Sequence, residues 1–185
     1  MIGGAHIAVA LARRGALVLS ASWDDPDFAW NKLDLALIRS TWDYHHRIDE
    51  FRDWLERIET QTRLVNPPGI IRWNLNKRYL TELTDKRIHV VPTAFLSIGE
   101  PASLEKVCSE HGWGTVVLKP AISADSWETI RIERDRYPEG QAYLERHRAE
   151  REIMIQPFVK DVEQGGEHSL MFFGGAYSHA VRKNS

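Results

Sequence analysis

Residues 115–120 read TVVLKP, an apolar run that ends in one lysine and a proline. A second apolar run, IMIQPFV at residues 153–159, passes into a short segment that contains glutamine and proline. Short apolar runs of four to eight residues, bounded by turn or breaker residues, are typical of buried strands. The pattern predicts two core strands, each with polar groups at its end.

These strand ends match the needs of an adenine nucleotide. Lys119 supplies a cation for phosphates at the tip of the first strand. Proline 157 has no N–H, so the chain leaves the ladder over residues 156–159 and its backbone groups become available to an adenine edge. Glu167 follows two glycines and supplies a carboxylate for a ribose. ATP binding is therefore the first hypothesis.

Each of these signals also has an ordinary structural explanation. Lys119 is then a solvated lysine at a strand end, residues 156–159 are a plain exit from a strand, and Glu167 is a surface carboxylate. Lys77, in a predicted helix, is by itself most simply a solvated helical lysine. A buried unpaired lysine is costly, so Lys119 must reach a cleft or water. The combination of the signals in one chain favours the nucleotide.

Composition limits the class of protein. The chain has 185 residues, of which 43% are hydrophobic and 27% charged, as in an ordinary globular protein. A net charge of -2 without a basic tract argues against nucleic-acid and membrane partners. The single cysteine, Cys108, cannot form an internal disulfide, and no apolar run approaches the roughly 18 residues of a membrane span. We expect a cytoplasmic protein.

The first 69 residues alternate predicted strands and helices. Residues 48–58 carry Phe51, Trp54, Leu55 and Ile58 at helical spacing. Strands are predicted at residues 16–20, 33–38 and 64–65, and the sequence NPPG at 66–69 is a stop signal. This alternation predicts a small Rossmann-like α/β domain with a parallel sheet.

The remainder of the chain predicts an α+β arrangement with mostly antiparallel strands. Residues 70–83 are helical in character and include Lys77. Residues 101–111 predict a helix with a proline in its first turn and Gly112 at its end. The predicted domains are residues 1–69, 70–155 and 156–185.

An ordered series of motifs runs along the chain. These are RSTWDY at 39–44, NPP at 66–68, RWN at 72–74, KRYL at 77–80, VPT at 91–93, VLKP at 117–120, QPF at 156–158 and FGGAYSHAV at 173–181. In this order they resemble one ATP-grasp group, which is similar to bacterial glutathione synthetase in its ATP-binding domain and includes the cyclo-ligase of D-cycloserine biosynthesis. The resemblance extends from about residue 17 onward. It implies an ATP-grasp fold with an incomplete C-terminal lobe, preceded by a Rossmann-like domain.

The resemblance also implies a carboxylate–amine ligase. ATP phosphorylates a carboxylate, an amine attacks the acyl-phosphate, and ADP and phosphate are released. Such catalysis is mostly positioning and charge neutralisation. By motif, the resemblance assigns Lys77 and Lys119 to the phosphates of ATP and Lys183 to catalysis. It assigns the ribose to Glu167 and the adenine to Gln156, Pro157, Phe158 and Val159. The substrate residues that it implies are Arg39, Ser40 and Trp42. A small amino-acid-like substrate and a homodimer are implied as partners.

Two departures from the group favour an alternative. The loop at 121–128, AISADSWE, is acidic and contains a tryptophan where the group has a small glycine-containing phosphate cover. Acidic side chains repel a triphosphate. The group requires Mg²⁺, but its ligands follow the SHAV motif, both ends of the chain look truncated, and no metal site is predicted. Adjacent His45 and His46 could suggest a metal site, but the side chains of these two neighbouring residues are expected to point in different directions. The alternative is a catalytically inactive nucleotide-binding remnant or a partner subunit.

Overall fold

The computed structural model describes residues 2–183, with side chains from residue 6 onward. These residues form two compact units. Unit 1 comprises the chain up to Val90 together with Lys119–Thr129, and unit 2 comprises Val91–Leu118 together with the chain from Ile130 onward. The domain boundaries at residues 69 and 155 stay a prediction.

Unit 1 contains a parallel strand pair surrounded by helices. Strands β1 and β2 pair in parallel with Ala36 opposite Leu64, as the alternating pattern predicts. The elements of unit 1 are α1 (Ile2–Ala12), β1 (Leu35–Leu37), α2 (Ile48–Glu59), β2 (Arg63–Val65), α3 (Pro68–Leu75) and α4 (Tyr79–Asp85), with 3₁₀ turns at Trp30–Lys32 and Tyr44–His46.

Helix α2 provides four of the eight buried residues in the hydrophobic cluster of unit 1. Its four apolar residues at helical spacing are at most 3% exposed, which confirms the prediction. Trp23 packs edge-on against Phe51 at 5.3 Å and Trp54 at 6.0 Å between ring centroids. The Trp23 Nε1–H donates to Asp43 Oδ1 at 2.9 Å. A buried indole needs such a partner. This hydrogen bond ties the loop after β1 to the core.

The prediction of a strand at residues 16–20 is wrong. The structure has no strand there, and the side chains of Leu17 and Leu19 are 89% and 57% exposed. A strand is stabilised by ladder hydrogen bonds and by burial of one face. Residues 16–20 pair with no strand among residues 2–183.

The helical stretch at residues 70–83 is two helices rather than one. Asn76 is extended, with φ −108° and ψ 129°, and its Oδ1 accepts a hydrogen bond from the Arg78 N–H at 2.9 Å. Side chains of this kind compete with helical hydrogen bonds. Lys77 therefore lies in a break between α3 and α4 and not inside a helix.

Unit 2 contains a four-stranded sheet and a separate hairpin. The sheet order is β3-β6-β4-β5, with β3 antiparallel to β6 and β4 antiparallel to β5, while β7 and β8 form an antiparallel hairpin. The elements are β3 (Ala94–Leu96), α5 (Leu104–His111), β4 (Val116–Pro120), β5 (Ile130–Ile132), α6 (Tyr137–His147), β6 (Ile153–Pro157), α7 (Asp161–Gly165), β7 (Glu167–Phe173) and β8 (Ala176–Lys183). The last two residues of β4 begin the Lys119–Thr129 segment of unit 1.

Alternation along β4 determines where Lys119 points. Val116, Leu118 and Pro120 are buried, whereas Val117 and Lys119 are partly exposed. Successive side chains on a strand point to opposite faces. Leu118 enters the core of unit 2 with Leu104, Leu144 and the other buried residues of the sheet and helices. Lys119 is consequently on the face opposite this core.

Helix α5 begins later than predicted. Ser103 caps it by accepting a hydrogen bond from the Lys106 N–H at 3.3 Å, so Pro101 precedes the cap instead of lying in the first turn. The helix ends as predicted at Gly112, which has φ 68°. No helix within residues 2–183 is long and apolar enough to cross a membrane.

Candidate functional site

A pocket in unit 1 brings together the two lysines predicted to bind phosphates. Lys77 comes from the break between α3 and α4, and Lys119 comes from the end of β4. The cavity has a volume of about 150 Å³ and is also lined by Ser123, Ala124, Asp125, Ser126 and Thr129. Two ammonium groups and three hydroxyl groups around one small cavity are suited to an oxyanion.

Lys77 is held against the loop that follows β4. Its Nζ donates to Ser123 O at 2.6 Å, to Ser123 Oγ at 3.1 Å and to Ala121 O at 3.5 Å. Its backbone N–H also donates to Ala121 O at 3.0 Å. The Ser123 hydroxyl in turn donates to Pro120 O at 3.0 Å. The lysine therefore fixes the start of the loop as well as lining the pocket.

The surroundings of Lys77 change its protonation. Burial, followed by the charge of Lys119, lowers the pKa of Lys77 to about 8. Both effects penalise the charged amine. The ammonium is present at neutral pH and is lost as the pH rises above about 8. A nearby phosphate would favour the charged form.

The loop at residues 121–128 has an unusual backbone. Asp125, Ser126 and Glu128 have φ values of 52°, 58° and 48°, in the left-handed region that side chains other than glycine rarely adopt. Two turns support this path: the Trp127 N–H donates to Ala124 O at 2.9 Å and the Thr129 N–H donates to Ser126 O at 3.0 Å. The loop is thus a tightly folded segment without glycine.

Trp127 contacts two adjacent histidines. Its ring centroid lies 5.1 Å from that of His45 and 4.9 Å from that of His46, and the two imidazoles are 4.0 Å apart. The expectation that these histidines point in different directions is wrong, because both rings pack on the same indole. Burial and the neighbouring His46 lower the pKa of His45. In the described part of the chain, no group of three or more His, Cys, Asp or Glu side chains is placed to hold a metal.

The predicted substrate residues lie at the surface of unit 1. Arg39, Ser40 and Trp42 are all exposed in the loop after β1, and Trp42 is 68% exposed. They are not among the residues that line the pocket. The same loop continues to Asp43, which is bonded to Trp23, and to His45 and His46. Their assignment to substrate stays a prediction.

In unit 2, the segment at residues 156–159 has fewer available backbone groups than the sequence suggests. The Phe158 N–H donates to Thr115 O at 2.9 Å. Gln156 is 9% exposed, and its Nε2 donates to Thr93 Oγ1 at 2.8 Å. Pro157 has no N–H to offer. The Val159 N–H has no backbone partner within residues 2–183, so it can donate a hydrogen bond to a ligand.

An arginine packs on this segment. The Arg131 guanidinium lies 4.0 Å from the centroid of the Phe158 ring. Arg131 also forms ion pairs with Glu163 of α7 at 2.5 Å and with Glu133 at 3.1 Å. These contacts join the strand exit, the following helix and β5, and so fix the course of residues 156–159.

The predicted ribose and catalytic residues face each other on the hairpin. Glu167 is opposite Lys183 in the register of β7 and β8, and Glu167 Oε1 lies 3.3 Å from Lys183 Nζ. The side chains are 66% and 62% exposed. At Gly166, which has φ 69°, a Cβ would lie 2.5 Å from Lys183 O. This glycine therefore allows the backbone of β8 to approach closely.

Comparison with known proteins identifies the fold. Residues 3–66 match the family model of the N-terminal domain of D-cycloserine synthetase DcsG. The chain is 30% identical over 167 residues to the cycloserine biosynthesis protein DcsG of Streptomyces lavendulae. The aligned region covers 88% of this chain and 56% of that protein. The crystal structure of D-cycloserine synthetase DcsG matches with a TM-score of 0.91 at 28% identity, over 98% of this chain and 62% of that one. A RimK-domain ATP-grasp protein from Sphaerobacter thermophilus matches with a TM-score of 0.70 at 22% identity, over 99% of this chain and 69% of that one.

The chain is a relative of D-cycloserine synthetase DcsG and has the ATP-grasp fold. The predicted mixed α/β and α+β fold is thereby confirmed, as is the relationship to D-cycloserine synthetase. The chain spans a little over half the length of the curated relative that it matches.

The sequence analysis missed several residues of the pocket. Ser123, Ser126 and Thr129 line it, and Trp127 joins its loop to the two histidines. A usable signal was present, because small hydroxyl residues follow directly after a strand that ends in Lys-Pro. The contact of Trp127 with His45, more than 80 residues earlier in the sequence, had no local signal.

Proposed function

We propose that this protein binds ATP and joins a carboxylate to an amine, with release of ADP and phosphate. The observation that carries the proposal is the convergence of Lys77 and Lys119 on one pocket lined by hydroxyl groups. The relationship to D-cycloserine synthetase supports it. The two ammonium groups neutralise phosphate charge, which is the main task of a protein in phosphoryl transfer.

In the proposed reaction a carboxylate oxygen attacks the γ-phosphorus of ATP, and the bond to the β–γ bridging oxygen breaks. ADP leaves and an acyl-phosphate remains. The amine nitrogen then attacks the acyl carbon, loses a proton, and expels phosphate as the C–O bond breaks. Lys77 and Lys119 hold the phosphates of ATP, and Lys183 meets the γ-phosphate or the acyl-phosphate after leaving Glu167.

The rest of the nucleotide is assigned to unit 2. We propose that adenine is bound at residues 156–159, with the Val159 N–H as the main donor, and that Glu167 binds the ribose. The lack of a backbone hydrogen-bond partner for this N–H within residues 2–183 supports the first assignment. The exposed carboxylate of Glu167 supports the second.

Magnesium is expected for the family, but the described residues do not fit it. Asp125 is the carboxylate among the pocket-lining residues, and it shares the pocket with two lysines. Mg²⁺ prefers oxygen ligands in near-octahedral geometry, and ammonium groups disfavour a cation. No step of the reaction is therefore assigned to a metal held by residues 2–183.

The substrate is proposed to be a small amino-acid-like molecule. Arg39 offers a guanidinium that can bind a carboxylate with two parallel hydrogen bonds, and Ser40 and Trp42 lie beside it in the loop after β1. Their exposure supports access to a ligand. A homodimer and a cytoplasmic location stay predictions.

Calorimetric titration with Mg-ATP tests nucleotide binding. We expect binding by the wild-type protein and a strong loss in Lys119→Ala. Lys86→Ala is the matched control, because Lys86 is an exposed lysine of unit 1 outside the pocket. Absence of binding at millimolar ATP, or an equal loss in the control, would contradict the proposal.

A second candidate is a nucleotide-binding remnant or partner subunit without catalysis. The acidic loop at residues 121–128 favours it, because Asp125 lines the pocket and its carboxylate would repel a triphosphate. A coupled assay of ADP release over a panel of D- and L-amino acids distinguishes the two candidates. Sustained turnover that depends on an added amine rules out the remnant, whereas ATP binding without such turnover supports it.

A further inference from the structure

We propose that Trp127 is a positioning residue that holds the loop at residues 121–128 around the Lys77–Lys119 pocket through its ring contacts with His45 and His46. The inference rests on the proposed function, because it takes the pocket as the place of the ATP phosphates.

The loop requires an anchor because its backbone is strained. Positive φ values, which favour glycine, occur here at three other residues: Asp125, Ser126 and Glu128. Such conformations persist where the surroundings determine them. Trp127 lies in the middle of these residues, between Ser126 and Thr129, which both line the pocket. A side chain that fixes Trp127 therefore fixes the hydroxyl groups on both of its sides.

The loop is held at two points by different kinds of contact. At its start, the Lys77 ammonium donates to Ser123 and to Ala121 O. Near its end, the indole of Trp127 packs on two imidazoles at ring-centroid distances of 5.1 and 4.9 Å. Aromatic pairs at such distances add stability beyond the burial of their surface.

Binding of phosphate weakens the contact of Lys77 with the loop but not the contact of Trp127 with the histidines. The ammonium has three N–H donors, and its three contacts with the loop occupy them. To donate to a phosphate, Lys77 must release at least one loop oxygen. The ring contacts of Trp127 do not depend on that ammonium, so they continue to hold the loop when the nucleotide is bound. Trp127 thereby contributes to ATP affinity without touching ATP.

The histidines belong to the loop that also carries the predicted substrate residues. His45 and His46 form the 3₁₀ turn Tyr44–His46, and Arg39, Ser40 and Trp42 precede it. The indole is thus a physical connection between the segment assigned to the substrate and the segment around the phosphates. Such a connection makes binding at one segment sensitive to the other.

The test combines loop cleavage with ATP affinity. Endoproteinase Glu-C cleaves after acidic residues, and Asp125 and Glu128 lie within the loop. In Trp127→Ala we expect cleavage at these two residues to be about tenfold faster, and the Kd for Mg-ATP to rise about tenfold, as loss of two aromatic pairs implies. Trp127→Phe keeps an aromatic ring and should restore both values to within about threefold of wild type.

Trp113→Ala is the matched control. Trp113 stacks on His111 in unit 2, with ring centroids 4.4 Å apart and an interplanar angle of 15°. This variant also removes a tryptophan–histidine contact, and we expect a lower melting temperature with unchanged loop cleavage and ATP affinity. An equal effect in Trp113→Ala would overturn the inference, since the effect would then reflect general destabilisation.

A double-mutant cycle examines the partner rings. His46→Ala should weaken ATP binding by less than Trp127→Ala does. The double variant should bind ATP as well as Trp127→Ala, because both substitutions remove the same contact between Trp127 and His46. Independent, additive effects would overturn the inference. If the wild type binds ATP and Trp127→Ala has the same loop cleavage and ATP affinity, the inference is overturned and the proposed function is not. No ATP binding by the wild type overturns the proposed function, and with it the role given to this loop.

Discussion

The Lys77–Lys119 pocket in unit 1 and the Glu167–Lys183 pair in unit 2 both join residues that the sequence assigns to a nucleotide, but in different surroundings. Lys77 is partly buried and makes three hydrogen bonds with a strained loop. Glu167 and Lys183 form one ion pair on an exposed hairpin. Exposed pairs contribute little and rearrange easily, whereas a partly buried ammonium requires compensation. The pocket is therefore the stronger evidence for a binding site.

Replacement of lysines should separate the two regions most clearly. Lys77→Ala removes a charge-assisted contact with phosphate, which is worth about 1.5–3 kcal/mol, so the Kd for ATP should rise about 10- to 100-fold. Lys183→Ala should raise the same Kd by a smaller factor, about threefold, because Lys183 must give up its ion pair with Glu167 before it can meet the γ-phosphate. Calorimetry measures both. Equal losses would show that the hairpin contributes as much to binding as the pocket does.

The pH dependence of ATP binding tests whether the charged form of Lys77 binds the nucleotide. The Lys77 amine loses its charge as the pH rises through about 8. Affinity for ATP should consequently fall about tenfold between pH 7 and pH 9, because the free protein must first regain a proton. Lys77→Arg keeps its charge over this range and should give a nearly constant affinity. A wild-type affinity that does not change with pH contradicts the assignment of Lys77.

A third prediction concerns the adenine segment in unit 2. Arg131→Met removes the guanidinium from Phe158 and from Glu163, and we expect ATP affinity to fall about three- to tenfold, as loss of a cation–π contact and an ion pair implies. Binding of inorganic tripolyphosphate, which lacks the base, should not change. Arg136→Met is the control, because Arg136 forms an exposed pair with Glu139. Weaker binding of tripolyphosphate in Arg131→Met would place Arg131 on the phosphates instead.

The smallest effect is expected at the hairpin. Glu167→Gln removes the ion pair with Lys183, and the free energy of unfolding should change by at most about 0.5 kcal/mol, because the pair is exposed to solvent. Chemical denaturation measures this change. A loss above about 2 kcal/mol would mean that the pair is a structural element, and Glu167 would then be a poor candidate for ribose binding.

The parts of the fold that were predictable from sequence depend on local patterns. The spacing of the buried residues in α2 and the glycine at residue 112 define their elements directly. The break at Asn76 was not predicted, because one side chain–backbone hydrogen bond outweighs the helical pattern around it. Residues 16–20 have strand composition but no ladder partner in the described part of the chain.

The candidate site was predictable to a similar degree. Lys77 and Lys119 were identified by motif, and the structure places them together. The contacts of Trp127 with His45 and His46, and the hydrogen bond from Phe158 to Thr115, join residues far apart in sequence. Such pairings follow from tertiary packing, and no local pattern encodes them.

The most direct test of the account follows the lysine side chains by NMR of protein labelled with ¹³C at lysine Cε, with Lys77 assigned from the spectrum of Lys77→Arg. In the free protein the Lys77 signal should titrate with a midpoint of about 8. Saturation with ATP should raise this midpoint by at least about one pH unit and shift the Lys119 signal, because phosphate stabilises both ammonium groups. Saturation with ATP that leaves both signals unchanged would contradict the account.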